Sequence, residues 1–185
     1  PLYTMESATK PKKKSEYEFY ICKKDDGPSF DHPRDIKDRL LSLNIEIPEA
    51  PSPVGSYVAY KIVGKLLYIS GQLPINKGNI LKGKVGKDLS VEEGQKAAHL
   101  CCLNILSKLK KACENDLEKI KGCVKITGFV NSTNDFIDQP KIINPVSDLI
   151  SKIFEENGKH TRAAVSVNSL PLGSAVEVDA IIELK

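Results

Sequence analysis

The stretch from Thr161 to Glu183, TRAAVSVNSLPLGSAVEVDAIIE, alternates side-chain types in two runs separated by a loop. Alternation of period two is the mark of a strand with two different faces. In the first run Ala163, Val165 and Val167 share one face, and Arg162, Ala164 and Ser166 share the other. In the second, Val176, Val178, Ala180 and Ile182 share a face, and Glu177 and Asp179 point the opposite way. If the valine faces cover one core, Arg162 and Glu177 emerge on the same side of the sheet. A fixed cation and a carboxylate among small residues can make an anion-binding site with a base beside it.

The rest of the chain supplies a partner for such a sheet. Asp35 to Leu43 reads as a short helix with Ile36, Leu40 and Leu43 on one face. Pro48, Pro51 and Pro53 then enforce an extended connection. Tyr57–Val63 and Leu66–Ser70 are strand-like, and Gly64-Lys65 between them suits a type II′ hairpin. Ser90-Val-Glu-Glu93 is a capping box, followed by Ala98, Cys101 or Cys102, Ile105, Leu109 and Ala112 at helical spacing. Cys123–Asn131 is a strand with Val124, Ile126 and Val130 facing one way. Asn144-Pro145 opens a second long helix, Asn as N-cap and Pro at the first position. Its stripe is Val146, Leu149, Ile150, Ile153 and Phe154, and Gly158 is placed to end it. Two long helices with one apolar stripe each, beside alternating strands, predict an α+β fold with both helices on one face of a single sheet. The other face then lacks a cover within the chain, which predicts a homo-oligomer.

Residues 1–34 differ from 35–185 and read as a separate N-terminal extension. It combines the lysine run Lys10 to Lys14, the aromatics Tyr17, Phe19 and Tyr20, and the turn-rich Asp25 to Ser29. The net charge of +3 is a weak signal for nucleic acid, and much of it is local to that run. No apolar run approaches the roughly 18 residues of a membrane span. Five cysteines, an odd number without C-x-x-C spacing, argue against a disulfide framework or a zinc site. They favour a reducing compartment, taken as cytoplasmic with an organelle left open. His32, His99 and His160 lack metal-ligand spacing, and Gly83-Lys-Val-Gly86 is neither a P-loop nor a dinucleotide fingerprint. No metal or cofactor is expected.

Each candidate residue also has a bland reading. Arg162 and Glu177 could form a surface ion pair, worth roughly 0–1 kcal/mol. Tyr57 is core or site, Asn144 an N-cap, and Ser70-Gly71 a strand end.

At these residues the chain resembles the Rid (YjgF-type) family of enamine/imine deaminases, historically also labelled L-PSP endoribonucleases. The matching pieces are Gly55-Ser-Tyr-Val58, Tyr68-Ile-Ser-Gly-Gln-Leu-Pro74, Asn134-Asp-Phe136 with Asn144, Arg162-Ala-Ala-Val-Ser-Val167 with Leu170-Pro171, and Val176-Glu-Val178. They are collinear over residues 55–185. The loop Gly83 to Gly94, the insertion around Asp138-Gln-Pro140 and the preceding Arg39 to Leu43 resemble a longer subgroup. The resemblance implies a chorismate-mutase-like fold and a homotrimer with its three sheets facing inward and active sites in the clefts between subunits. It implies that Arg162 holds a substrate carboxylate, that Glu177 positions water, and that Tyr57, Ser70, Gly71 and Asn144 line the pocket. Two positions depart from the family pattern. Ala164 stands where a cysteine is common, and Lys159-His-Thr161 where an aromatic–proline pair is frequent.

The implied activity is hydrolysis of 2-imino acids to 2-keto acids and ammonia. A non-catalytic carboxylate-binding or chaperone-like trimer is the alternative. Endoribonuclease activity comes third, because a basic groove with stacking aromatics and a histidine pair for acid–base cleavage are both missing.

Overall fold

The computed structural model describes residues 35–49 and 55–185. The N-terminal extension, Cys22, His32, Pro51 and Pro53 lie outside the described residues. Helix α1 (Ile36–Ser42) is capped by Asp35, whose side chain accepts from the Asp38 amide, and it buries Ile36 and Leu40. Strands β1 (Tyr60–Val63) and β2 (Leu66–Gln72) form the expected hairpin. Of its two turn residues only Gly64 takes a positive φ, 59°, as a type II′ turn requires. A small hairpin follows, β3 (Ile75–Asn76) with β4 (Asn79–Ile80). Helix α2 (Val91–Ala112) begins with the capping box, Ser90 and Glu93 each bonding the other's amide. Then come β5 (Ile120–Asn131), α3 (Gln139–Phe154), β6 (Thr161–Val167) and β7 (Val176–Leu184).

The sheet order is β1-β2-β7-β5-β6. Only β5 and β6 run parallel, and α3 supplies the crossover that a parallel pair needs. Helix α2 packs on β2 and β7, and α3 on β5 and β6, so both long helices cover one face. Leu67, Ile69, Ile126, Val130, Val178, Ala180 and Ile182 from the sheet meet Ala98, Cys101, Cys102, Ile105, Leu109, Val146, Ile150 and Ile153 from the helices. All four described cysteines are buried and unpaired.

Four details differ from the sequence reading. Helix α3 starts at Gln139 rather than at Asn144-Pro145, with Pro140 in its first turn and Pro145 inside. Pro145 has no N–H to give the Lys141 carbonyl, and the Gln95 side chain of α2 donates to that carbonyl instead, at 2.9 Å. The helix ends at Phe154, followed by Glu155 at a φ of 53°, not at Gly158. Gly158 serves close approach: a Cβ there would sit 2.6 Å from the Ile150 carbonyl oxygen. A register shift between Cys123 and Lys125 turns Cys123 inward and leaves Val124 exposed.

The fourth difference concerns β6. Its pairing aligns Arg162 with Ile126, Ala164 with Gly128 and Ser166 with Val130. Ile126 and Val130 are core residues, and Gly128 lies against Ile143 of α3. Arg162, Ala164 and Ser166 therefore lie on the helix side. Ala163, Val165 and Val167 face the open side, the reverse of the expected arrangement. Val165 is left 45% exposed there, with Tyr68 of β2 at 41%.

Candidate functional site

The turned strand separates the two charged residues. Glu177 pairs with Phe129, which pairs with Val165, so Glu177 shares the open face with Val165. Arg162 lies two strands across and three residues further along, on the opposite face. Strand spacings place the two Cα atoms roughly 14 Å apart. Arg162 and Glu177 do not form a pair within one chain; each anchors its own cluster.

The first cluster is built on β2 and β7. Gly71 lies in the irregular part of the β2–β7 ladder, and the Glu177 side chain lies directly over it. A Cβ at position 71 would meet Glu177 Oε1 and would stand 2.8 Å from its carboxyl carbon. Only glycine leaves room for the carboxyl group here. The neighbouring Ser70 hydroxyl donates to the Val58 carbonyl at 2.7 Å, tying the segment that carries Tyr57 to β2. Tyr57 precedes β1 rather than belonging to it, folds its ring back over Gly55 and is 51% exposed. Partial burial, with the Asp179 carboxylate as a second cause, raises the Glu177 pKa above the usual carboxylate range. A carboxyl group shifted toward neutrality can take a proton and return it.

The second cluster is built on α3 and the start of β6. Arg162 Nη1 donates to Asn144 Oδ1 at 3.0 Å and to Ser147 Oγ at 3.1 Å. Asn144, inside α3, thus acts on Arg162 and not as a helix cap. Ser147 lies one turn further along the same helix face. Its hydroxyl also meets His160 Nε2 at 3.0 Å, and His160 Nδ1 meets the Gly158 carbonyl at 2.6 Å. Both guanidinium bonds come from Nη1, which leaves Nε and Nη2 directed at no protein acceptor among the described residues. Those two donors are the fork that binds a carboxylate bidentately.

Arg162, Asn144, Tyr57, Ser70, Gly71 and Glu177 are the candidates the sequence offers, and the structure sorts them into these two clusters. Ser147, His160 and Asp179 are not among those candidates. Asn144-x-x-Ser147 is a helical i,i+3 pair, a signal hidden by starting the helix at Asn144.

Gly71→Ala offers a test of the first cluster that alters no polar group. Its methyl displaces the Glu177 carboxyl, so a reaction that needs this carboxyl slows by about 10²-fold, the lower scale of a general base. The melting temperature and steady-state rate of the variant check it; a folded variant with native turnover contradicts the placement.

The family described as "YjgF/chorismate_mutase-like, putative endoribonuclease" matches residues 37–184. The chain belongs to that family. It is 46% identical over 147 residues to Protein TCP17 of Trypanosoma cruzi, spanning 78% of this chain and 91% of the relative. It is 30% identical over 144 residues to the human 2-iminobutanoate/2-iminopropanoate deaminase, spanning 77% and 90%. Among solved structures it is similar to Atu1372 of Agrobacterium tumefaciens, a protein of unknown function. That match has a TM-score of 0.76 and 44% identity, and covers 81% of this chain and 92% of the other. Among the described residues no helix is long and apolar enough to cross a membrane.

Proposed function

We propose that this chain hydrolyses reactive 2-imino acids to 2-keto acids and ammonia, in a homotrimer whose clefts each combine the Arg162 cluster of one copy with the Glu177 cluster of the next. The observation that carries this reading is the separation of the two clusters on opposite faces of one sheet. Each is half of a site, and a second copy brings the missing half. The exposed Val165 and Tyr68 on the open face favour the same assembly, since apolar sheet surface gains by being covered. Membership of a family that includes proteins named 2-iminobutanoate/2-iminopropanoate deaminase supports the chemistry.

In the proposed cleft Arg162 holds the substrate carboxylate with Nε and Nη2. The Gly71 backbone amide, on a residue with no side chain of its own, assists at the same carboxylate. Glu177 holds a water against the imine carbon and takes a proton as the oxygen attacks, giving a carbinolamine. With the imine entering protonated, Glu177 returns this proton to the carbinolamine nitrogen and then takes the hydroxyl proton as the C=O bond forms and the C–N bond breaks, and ammonia leaves the keto acid. Imines hydrolyse unaided, so a positioned base contributing about 10²–10⁴-fold suffices. Tyr57, Ser70 and Asn144 line the cleft. The mechanism uses no metal or cofactor.

An amino-acid-derived imine source coupled to keto-acid and ammonia detection tests the reading. Release accelerates with the protein present and saturates with substrate. Glu177 must be ionised to act as base, so kcat/KM falls with decreasing pH through a limb that follows its raised pKa. Asp179→Asn removes one cause of that rise and moves the limb to lower pH. Equal release with and without the protein contradicts the deaminase reading.

The endoribonuclease reading gains nothing from the site. His160 has both ring nitrogens engaged, by Gly158 and Ser147, and is not placed for acid–base cleavage.

A further inference from the structure

A carboxylate clamp works only if its guanidinium is held in one orientation before the ligand arrives, because ordering a long side chain costs affinity. Arg162 is held through Nη1 alone, by Asn144 and Ser147. The Asn144 carbonyl oxygen can only accept. The Ser147 hydroxyl can turn, offering Arg162 either a lone pair or its own hydrogen. What fixes it is His160, at the position where the family pattern departs.

The hydrogen bonds determine the direction of every proton in this chain of groups. His160 Nδ1 faces the Gly158 carbonyl at 2.6 Å, and a carbonyl only accepts, so Nδ1 carries the hydrogen. In the neutral ring Nε2 is then an acceptor. Ser147 must donate to it across 3.0 Å, which turns a lone pair toward Arg162 Nη1 at 3.1 Å. The Gly158 carbonyl thus sets the tautomer, the tautomer sets the hydroxyl, and the hydroxyl sets the arginine.

We propose that His160, through the Ser147 hydroxyl, is a positioning residue that holds the Arg162 guanidinium ready for a carboxylate; this rests on Arg162 being the carboxylate clamp. His160 touches no substrate in this role. It acts on binding of the carboxylate and not on the proton transfers at Glu177, which lie in the other cluster. The chemistry requires an acceptor at Nε2, not an aromatic ring. Gln in its place offers Oε1 to Ser147, whereas Phe keeps the bulk and offers nothing.

The test uses the full chain in four variants, His160→Phe, His160→Gln, Ser147→Ala and Ser147→Thr. Melting and light scattering establish that each is folded and assembled as the wild type. Imidazole ¹⁵N shifts of the ligand-free protein report the tautomer, and calorimetric titration with 2-oxobutanoate reports the clamp. Imine turnover separates KM from kcat. The tautomer expected is Nδ1–H with Nε2 unprotonated. His160→Phe and Ser147→Ala raise both Kd and KM by about 10-fold, the scale of one lost hydrogen bond. In both, kcat stays within about threefold of wild type, as for a group that acts on binding. His160→Gln and Ser147→Thr remain close to wild type. An Nε2–H tautomer, wild-type affinity in the Phe and Ala variants, or a Gln variant as impaired as Phe each overturns the proposal. If the Phe variant fails to fold, the tautomer of His160 together with the contrast between Ser147→Ala and Ser147→Thr decides. A wild type that binds 2-oxobutanoate but releases no ammonia removes the deaminase reading and leaves this proposal to be judged on Kd. A wild type that binds no keto acid removes the clamp and this proposal together.

Discussion

Arg162→Ala leaves the protein folded, abolishes turnover of 2-imino acids and weakens keto-acid binding by roughly 10- to 100-fold, the range of a lost charge-assisted pair. The fold survives because Arg162 sits at the exposed start of an edge strand and carries no part of the core. Its two hydrogen bonds go to Asn144 and Ser147 at the protein surface, where water replaces the lost donor. The catalytic loss is larger than the binding loss, because a substrate no longer held by its carboxylate seldom presents its imine carbon to the water on Glu177. Thermal melting, calorimetry with a keto acid and the coupled ammonia assay measure the three effects. A folded variant with native turnover would show that the carboxylate is bound elsewhere.

Glu177→Gln separates an enzyme from a binding module. Glutamine has nearly the same shape, fits over Gly71 and still hydrogen-bonds a water, but it cannot take the water's proton. Under the hydrolytic mechanism kcat falls by about 10²-fold or more while the keto-acid Kd changes little. The low-pH limb of the wild type disappears from whatever activity remains. If the chain only binds carboxylates, turnover is absent in the wild type as well and the substitution alters affinity alone. Full turnover in the Gln variant would mean that water is activated by another group.

The two clusters also show which parts of this protein its sequence discloses. Local signals were sufficient where local forces decide. The Ser90–Glu93 capping box, the Gly64-Lys65 turn and the apolar stripes of α2 and α3 follow from neighbours a few residues apart, and each is present. Pro145 reads as a first-turn proline and so predicts too late a start for α3, which begins at Gln139. What permits Pro145 inside the helix is Gln95, a residue of another helix, which alternation and spacing do not link to Lys141. Val124 departs from the alternation of its strand because a register shift is a property of the ladder and not of the strand.

Strand β6 departs furthest from what alternation and hydrophobicity predict. Alternation correctly divided Arg162, Ala164 and Ser166 from Ala163, Val165 and Val167. Hydrophobicity then put the valines inside, yet they lie on the open face. A strand at the sheet edge needs only a small residue beneath α3, and Ala164, packed against the core, meets that need. The more apolar face is the one left for another surface to cover. Composition tells that one face is meant for burial; it does not tell whether the same chain buries it.

Coexpression of two inactive chains tests whether a cleft is shared between copies. Arg162→Ala chains keep Glu177, and Glu177→Gln chains keep Arg162. In trimers assembled at random from equal amounts, about a quarter of the clefts join the native Arg162 of one copy to the native Glu177 of another. With shared clefts the mixture regains about a quarter of the wild-type turnover, while each variant alone stays near background. A mixture as inactive as its parts, in particles confirmed to contain both chains, would contradict a shared cleft.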